Sequence, residues 1–474
     1  MELSRTLQEN SGLNWVLHQL ETLSPFGRAA ARTLPWYGPG KEDELNRELD
    51  RVERAARLWQ KRPPALDTAV RHLGAFRDVR GCLDRAEDNP FDLVELFELK
   101  YFLMTFCQFK HAYEMLGGFE GVSFAPADEA LEILDPSGRQ LYSFSIENGA
   151  HPELASLRKE KRQVEEEIRR ADEAELPVLM ERRRLLAVRE HDAELEVRKE
   201  LTARIMALRQ VFLTNMEALG RVDLILAKGK LAGKYCCVRP EILGNPCIAL
   251  QGVIHPRVAC RLEDVGEKFT PVDVELRKGC TVITGANMGG KTVSLQAVSL
   301  SVLLAQCGFF VFAKAAQLPL FDEVALILAD SGSGAGGLSS FGAEVVALNG
   351  ALERSGGRFF FLGLDEFARG TNPQEGSALA KSLAAHLNES NGISLMTTHY
   401  DGVSEAAGAH YQVAGLVREV EGDEGDDPRV RIARRMDYRL LPTSPGEPCP
   451  KDALRVCRLL DLDEKLLKLL EGNS

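Results

Sequence analysis

Apolar residues recur at steps of three and four over much of the first 150 positions. The segments 15-WVLHQLETL-23, 42-EDELNRELDRVERAARLWQ-60 and 92-DLVELFELKYFLMTFCQF-109 each carry them on one face, which predicts amphipathic helices. Proline and glycine clusters, 33-TLPWYGPG-40 and 89-NPFD-92, punctuate the pattern and mark turns. Residues 1–150 therefore read as an α-helical domain.

From His151 the pattern thins. Charged residues dominate, and Leu154, Leu157, Val164 and Ile168 form a single apolar edge. Pro177, in 171-ADEAELPVL-179, is expected to break this helix. A second charged helix follows, with Leu201, Ile205, Leu208 and Phe212 along its inner edge. Two such helices predict an antiparallel coiled-coil hairpin over residues 151–215, with arms of roughly 25–35 residues, about 40–50 Å each. A solvated helical hairpin packed on the body is the plainer alternative. Basic and acidic residues nearly balance along it, apart from the triplet Arg182, Arg183, Arg184 near the far end. Residues 216–246 read as a return helix and connector.

Beyond about Cys247 short β-rich runs alternate with helical patterns: 281-TVIT-284, 323-EVALILA-329, 358-RFFFLGLD-365 and 393-ISLMTTH-399. Such alternation predicts an α/β domain with a largely parallel sheet over residues 247–474, closed by a helical tail. The fold class is thus α + α/β.

Composition narrows the function classes. The chain has 474 residues and a formal net charge of −12, which argues mildly against a protein whose whole surface grips nucleic-acid phosphates but leaves room for a local basic patch. No apolar run reaches the ~20 residues that span a bilayer, and the N-terminus lacks the order of a signal peptide, so a cytoplasmic protein without membrane association is expected. Ten cysteines without a Cys-x-x-Cys pair fit buried thiols rather than a disulfide framework or a zinc site.

The chemistry is concentrated in the last 230 or so residues. Gly285–Thr292 satisfies Gly-x-x-x-x-Gly-Lys-Ser/Thr between a strand and a helix, the setting of a Walker A loop. Glycines allow successive backbone N–H groups to curl around phosphate oxygens, and the helix N-terminus adds a favourable dipole. Lys291 would reach the β- and γ-phosphates and Thr292 would ligate Mg2+. The strand 359-FFFLGLD-365 then delivers adjacent carboxylates: Asp365 would hold magnesium and Glu366 would polarise the attacking water. Together these predict an ATPase with ATP and Mg2+ as its ligands, and the expected nucleotide-binding residues of the loop are Gly285, Ala286, Asn287, Met288, Gly289, Gly290, Lys291, Thr292 and Val293.

TGANMGGKT, 365-DEFARGT-371, 396-MTTHY-400, 337-GLSSFGAE-344 and 267-EKFTPVD-273, in their order, resemble the ATPase domain of the MutS family. The resemblance is firm over Gln251–Tyr400 and looser over the helical half. It implies an ABC-like P-loop ATPase domain in which Phe269 stacks on adenine and His399 senses the γ-phosphate. It also implies that Ser339 reaches the γ-phosphate held by a second subunit, hence a homodimer with composite sites. Ala286 stands where the family usually has proline, Thr292 replaces its common serine, and Ile254 precedes His255 where arginine is expected. The N-terminal mismatch-reading domain has no room in this chain. Two functions follow from the resemblance. One is an ATP-dependent clamp on mismatched or branched DNA. The other is an ATP-driven remodeller that reactivates an adenosylcobalamin-dependent aminomutase, such as lysine 5,6-aminomutase, with the arms gripping protein instead of DNA.

Overall fold

The computed structural model describes residues 4–285, 289–329, 340–416, 435–448, 453–463, 465–467 and 469. Helices α1 (Arg5–Ser11), α2 (Leu13–His18), α3 (Pro25–Arg32), α4 (Glu42–Lys61), α5 (Pro64–Ala75), α6 (Arg80–Arg85), α7 (Leu93–Met115) and α8 (Asp128–Leu134) open the chain. Three charged or mixed helices follow, α9 (Leu154–Ile168), α10 (Leu176–Ala207) and α11 (Arg209–Lys234). Strands β1 (Glu241–Ile242) and β2 (Cys247–Val253), helix α12 (Pro256–Asp264), and strands β3 (Val272–Arg277) and β4 (Gly279–Thr284) lead to α13 (Lys291–Gln306). Then come β5 (Ala315–Leu318), β6 (Glu323–Ile327), α14 (Ser340–Ser355), β7 (Phe360–Asp365), α15 (Pro373–Glu389) and β8 (Gly392–Thr397). Strands β9 (Ala409–Leu416) and β10 (Met436–Thr443) and helix α16 (Ala453–Leu459) complete the series. Among the described residues no helix is long and apolar enough to cross a membrane.

Two compact units divide the chain: residues 22–33 and 58–226 form one, and residues 1–21, 34–57 and 227–474 the other. The first is all-helical. Its α7 begins at a reciprocal cap, in which Asp92 accepts from the Glu95 N–H while the Glu95 side chain accepts from the Asp92 N–H. One face of α7 contributes Phe102, Phe106 and Phe109 to a cluster of edge-on and tilted rings with Phe26, Phe76, Phe124 and Phe212. The start of α3 is fixed by Asp223 of α11, whose carboxylate accepts from the Leu23 and Ser24 N–H groups and from the Ser24 hydroxyl. A Cβ at position 27 would lie 2.0 Å from that carboxylate, so the approach requires Gly27.

In the same unit α9 and α10 lie side by side and antiparallel. Leu154, Leu157 and Val164 pack on Leu186, Ala193 and Val197, the apolar edge expected for α9. Two features differ from expectation. Helix α9 has 15 residues and α10 has 32, rather than two arms of similar length. Pro177 lies in the first turn of α10, where a missing N–H costs no intrahelical hydrogen bond, so it starts a helix instead of breaking one. Arg158 bridges the pair by reaching Glu190 at 3.0 Å and Glu194 at 2.7 Å. The arginine triplet is also paired: Arg182 with Glu160, Arg183 with Glu165 and Arg184 with Glu181, at 2.8, 2.9 and 2.6 Å.

The second unit holds two sheets. Six strands run in the order β10-β9-β4-β8-β7-β6, parallel throughout except for the β10–β9 pair. A smaller sheet has the order β1-β5-β2-β3. Every residue of β4, β6, β7 and β8 is buried, as befits parallel strands covered on both faces. Ile283, Phe361, Ile393 and Leu395 face α13 and the small sheet, whereas Val282, Leu362, Leu364 and Met396 face α14 and α15. Alternation along each strand thus sorts one sheet between two layers. Deep in this unit Lys228 of α11 donates to Glu48 of α4 at 3.1 Å and to the Cys307 carbonyl at 2.9 Å, and it lies 4.5 Å from the Phe309 ring centre. Burial would raise the Glu48 carboxyl, but the charges of Lys228 and Arg51 outweigh it and hold the group below the ordinary carboxylate range.

His255, the residue before α12, is buried against the left-handed backbone of Gly12. Burial pushes its pKa down to about 4. The unfolded chain, with an ordinary histidine near pKa 6.5, binds the proton first, so stability is complete above that value and falls as pH drops toward 4. Between pH 7 and 4.5 the unfolding free energy of the wild type is expected to fall by about 2–3 kcal/mol more than that of His255→Leu. Urea titrations at the two pH values measure the difference. Equal pH dependence in both proteins would remove His255 from this role.

Candidate functional site

Three adjacent parallel strands end at one edge of the large sheet. Register pairs Asp365 of β7 with Thr397 of β8, and Thr397 with Ile283 of β4. The segments that leave these strands therefore meet: the glycine-rich loop after β4, the acidic pair at the end of β7, and Thr398-His399-Tyr400 after β8. A crevice at the carboxyl ends of parallel strands is where open α/β sheets hold ligands.

Of the glycine-rich loop, Ala286, Asn287 and Met288 lie outside the described residues, as does Ser339. Gly285 leaves β4 with φ 139°, and Gly290 caps α13 in the left-handed region at φ 78°. Here the backbone itself demands glycine, and the turn leaves the first N–H groups of α13 facing the crevice. Lys291 is buried. Its ammonium donates to the Gly285 carbonyl at 2.7 Å and lies 3.2 Å from a Glu366 oxygen. The Thr292 hydroxyl stands 2.9 Å from both Asp365 oxygens.

Asp365 is held from the other side by the Thr397 hydroxyl, which donates at 2.7 Å and accepts the Glu366 N–H at 3.0 Å. Burial pushes the Asp365 carboxyl up, and the neighbouring Glu366 charge adds to this; hydrogen bonds from Thr397 and Thr292 and the charge of Lys291 oppose it. Glu366 adopts φ 44° and Ala368 φ 66°, conformations that non-glycine residues seldom take. Two contacts enforce this turn: Glu344 of α14 accepts the Ala368 N–H at 3.1 Å, and the Tyr400 hydroxyl donates to the Ala368 carbonyl at 3.0 Å. Around the Glu366 carboxylate stand Lys291, the Arg369 guanidinium at 3.3 Å and His399 Nδ1 at 3.8 Å. That His399 nitrogen is buried and makes no hydrogen bond to a described residue.

Beside the loop a cavity of about 390 Å³ is bounded by Phe269, Val258, Leu262 and Tyr438 on one side and by Gly290–Ser294, including Val293, on the other. One half is apolar and suits a planar base. The other is the N-terminus of α13 and suits phosphate oxygens. The Thr292 hydroxyl and the Asp365 carboxylate supply the hard oxygen ligands that Mg2+ takes. The residues present thus fit a magnesium nucleotide.

Lys291, Thr292, Asp365, Glu366 and His399 converge as a cluster, with Phe269, Gly285, Gly289, Gly290 and Val293 at its border. Sequence reasoning missed Thr397, Glu344, Arg369 and Tyr438. Thr397 is the first position of TTH, at the end of a predicted strand, but its two-sided bond depends on register. Tyr438 gave no signal: it comes from β10, against Gly290, where a Cβ would lie 3.1 Å from its ring.

The MutS domain V family model matches residues 281–438, which include this cluster. An endonuclease MutS2 from Brevibacillus brevis is 26% identical over 473 residues, covering 85% of this chain and 57% of that protein. Another, from Thermomicrobium roseum, is 34% identical over 281 residues, 56% of this chain and 33% of its own length. The DNA mismatch repair protein MutS of Myxococcus xanthus is 30% identical over 237 residues, 49% of this chain and 26% of that one. The chain spans between 26% and 57% of the length of these relatives. Over residues 281–438 the chain thus matches MutS domain V, and the relatives it resembles are MutS-family proteins.

Proposed function

We propose that the chain binds ATP with Mg2+ in the crevice, hydrolyses it, and uses the cycle to govern its hold on DNA. The meeting of Lys291 and Thr292, which follow β4, with Asp365 and Glu366 at the end of β7, across β8, carries this reading. In it the base lies between Phe269 and Tyr438, and the loop N–H groups with Lys291 hold the phosphates. Thr292 and Asp365 hold Mg2+, which when bound neutralises charge on the transferring phosphate. Glu366 orients the attacking water, and its strained turn fixes the direction of the carboxylate. His399, whose buried Nδ1 makes no hydrogen bond to a described residue, would meet the γ-phosphate. The helical core or lever, residues 1–150, and the α9/α10 pair, taken as a clamp-like coiled-coil arm within residues 151–215, would transmit the cycle to the substrate. Residues 247–474 would form an ABC-like P-loop domain. The relatives' names, an endonuclease and a mismatch repair protein, favour DNA over a cobalamin-dependent aminomutase as that substrate.

Lys291 and Glu366 separate binding from chemistry. Lys291→Ala is expected to weaken ATP binding at least tenfold, whereas Glu366→Gln should bind ATP as the wild type does and lose turnover by 10² or more. Equal turnover in Glu366→Gln would exclude it as the water-orienting group. A homodimer with shared sites adds one expectation: mixing Lys291→Ala with Ser339→Ala chains yields activity above either parent. If subunits exchange and no activity returns, the site is not shared.

If the α9/α10 pair grips DNA, Arg182, Arg183 and Arg184 must exchange their glutamate partners for phosphates. Those pairs are half-exposed, and such pairs hold weakly, so the exchange is feasible. Replacing all three by alanine is expected to weaken DNA binding and flatten log K against log salt by up to ~0.9 per lost contact. Binding that stays structure-blind and within about 10⁻⁴–10⁻⁶ M at physiological salt would favour a protein substrate instead.

A further inference from the structure

Helix α12 has two working faces. Val258 and Leu262, four residues apart, wall the nucleotide cavity. Arg257 and Arg261, also four apart, lie on another face and line a separate groove of about 430 Å³ with Asn14, Trp15 and His18 of α2 and Asp264. The groove has the size of a small-molecule site. Neither arginine makes a hydrogen bond or ion pair to another described residue, whereas many of the other arginines in the described chain are paired. Trp15 is half-buried and held edge-on by Tyr235 at 5.8 Å between ring centres, so its orientation is set before any ligand arrives. Lys234, 5.0 Å from the Tyr235 ring centre, adds a further cation to that edge.

We propose that this groove binds a phosphorylated nucleobase compound, one nucleotide at a time. Two guanidinium groups at helical i,i+4 spacing stand about 5–6 Å apart at their Cβ atoms, a separation from which both can reach one phosphodiester. The fixed indole offers a stacking face to the base, an interaction that tolerates any base. Asn14 and Asp264 supply an amide and a carboxylate for the hydroxyl or amino groups that remain. A bare anion would have no use for Trp15, and a purely apolar ligand none for two unpaired arginines. The same chemistry comes from two sources, a free mononucleotide or one unit of a single strand. The proposal stands apart from the ATP reading, because Lys291 does not line this groove.

Trp15 reports binding directly once Trp36→Phe and Trp59→Phe remove the other two tryptophans. Titration with an oligo-dT octamer and with dTMP, in low salt, is expected to quench Trp15 saturably. Arg257→Ala with Arg261→Ala should weaken the octamer at least tenfold and flatten log K against log salt by ~0.7 per lost contact. Anisotropy of a labelled octamer on the chain with all three tryptophans gives the same comparison without the tryptophan replacements. An octamer at least tenfold tighter than dTMP assigns the groove to single strands, and equal affinities assign it to mononucleotides. The proposal is overturned if the double arginine variant binds both as the unmutated chain does. It is overturned equally if inorganic phosphate displaces the probes as well as dTMP does, or if neither probe binds at millimolar concentration.

Discussion

Two carboxylates side by side at the end of a strand whose every residue is buried, Asp365 and Glu366, are the constraint that the surrounding structure answers. A buried carboxylate needs hydrogen bonds or an opposite charge. Asp365 obtains hydroxyls from the helix after β4 and from the neighbouring strand, Thr292 and Thr397. Glu366 obtains the Lys291 ammonium and the Arg369 guanidinium. The partners come from the start of α13, from β8 and from the turn after β7, so the pair knits these elements together at one point. Because the partners are the groups a magnesium triphosphate needs, stability and chemistry draw on the same contacts.

The turn after Glu366 shows how the rest of the unit supports this point. Left-handed backbone at Glu366 and Ala368 is unfavourable by itself. It persists because Glu344 and Tyr400 bind Ala368 from two sides, and Gly376 leaves room for the Tyr400 hydroxyl, which a Cβ there would meet at 2.4 Å. Glu344 belongs to the segment 337-GLSSFGAE-344, in which the resemblance implies that Ser339 serves a second subunit. Its final residue acts within its own chain.

What was legible in the sequence is what local pattern encodes. The apolar run of 359-FFFLGLD-365 announces a buried strand with a carboxylate at its end, and the glycines that bound the loop after β4 announce the positive φ found at Gly285 and Gly290. The stepwise apolar pattern likewise places α4 and α7. Long-range pairing is what the pattern cannot carry. Tyr438 reaches the cavity only because β10 lies beside β9, and Thr397 serves both carboxylates only because of strand register. Arg182–Arg184 read as free charge in one dimension; the partners of Arg182 and Arg183, Glu160 and Glu165, become visible only when α9 is laid against α10, whereas Arg184 pairs with Glu181 of its own helix. Pro177 was misjudged for a related reason, since a proline breaks a helix interior but is welcome in a first turn.

The central claim is that Thr292 and Asp365 form a magnesium point inside a nucleotide site. Calorimetric titration of ATP into the wild type and Thr292→Val, once with Mg2+ and once with EDTA, tests it most directly. The structure predicts that Mg2+ tightens ATP binding to the wild type at least tenfold, ~1.4 kcal/mol, and has little effect on Thr292→Val. An equal magnesium effect in both proteins, or no saturable ATP binding by the wild type, would contradict the account.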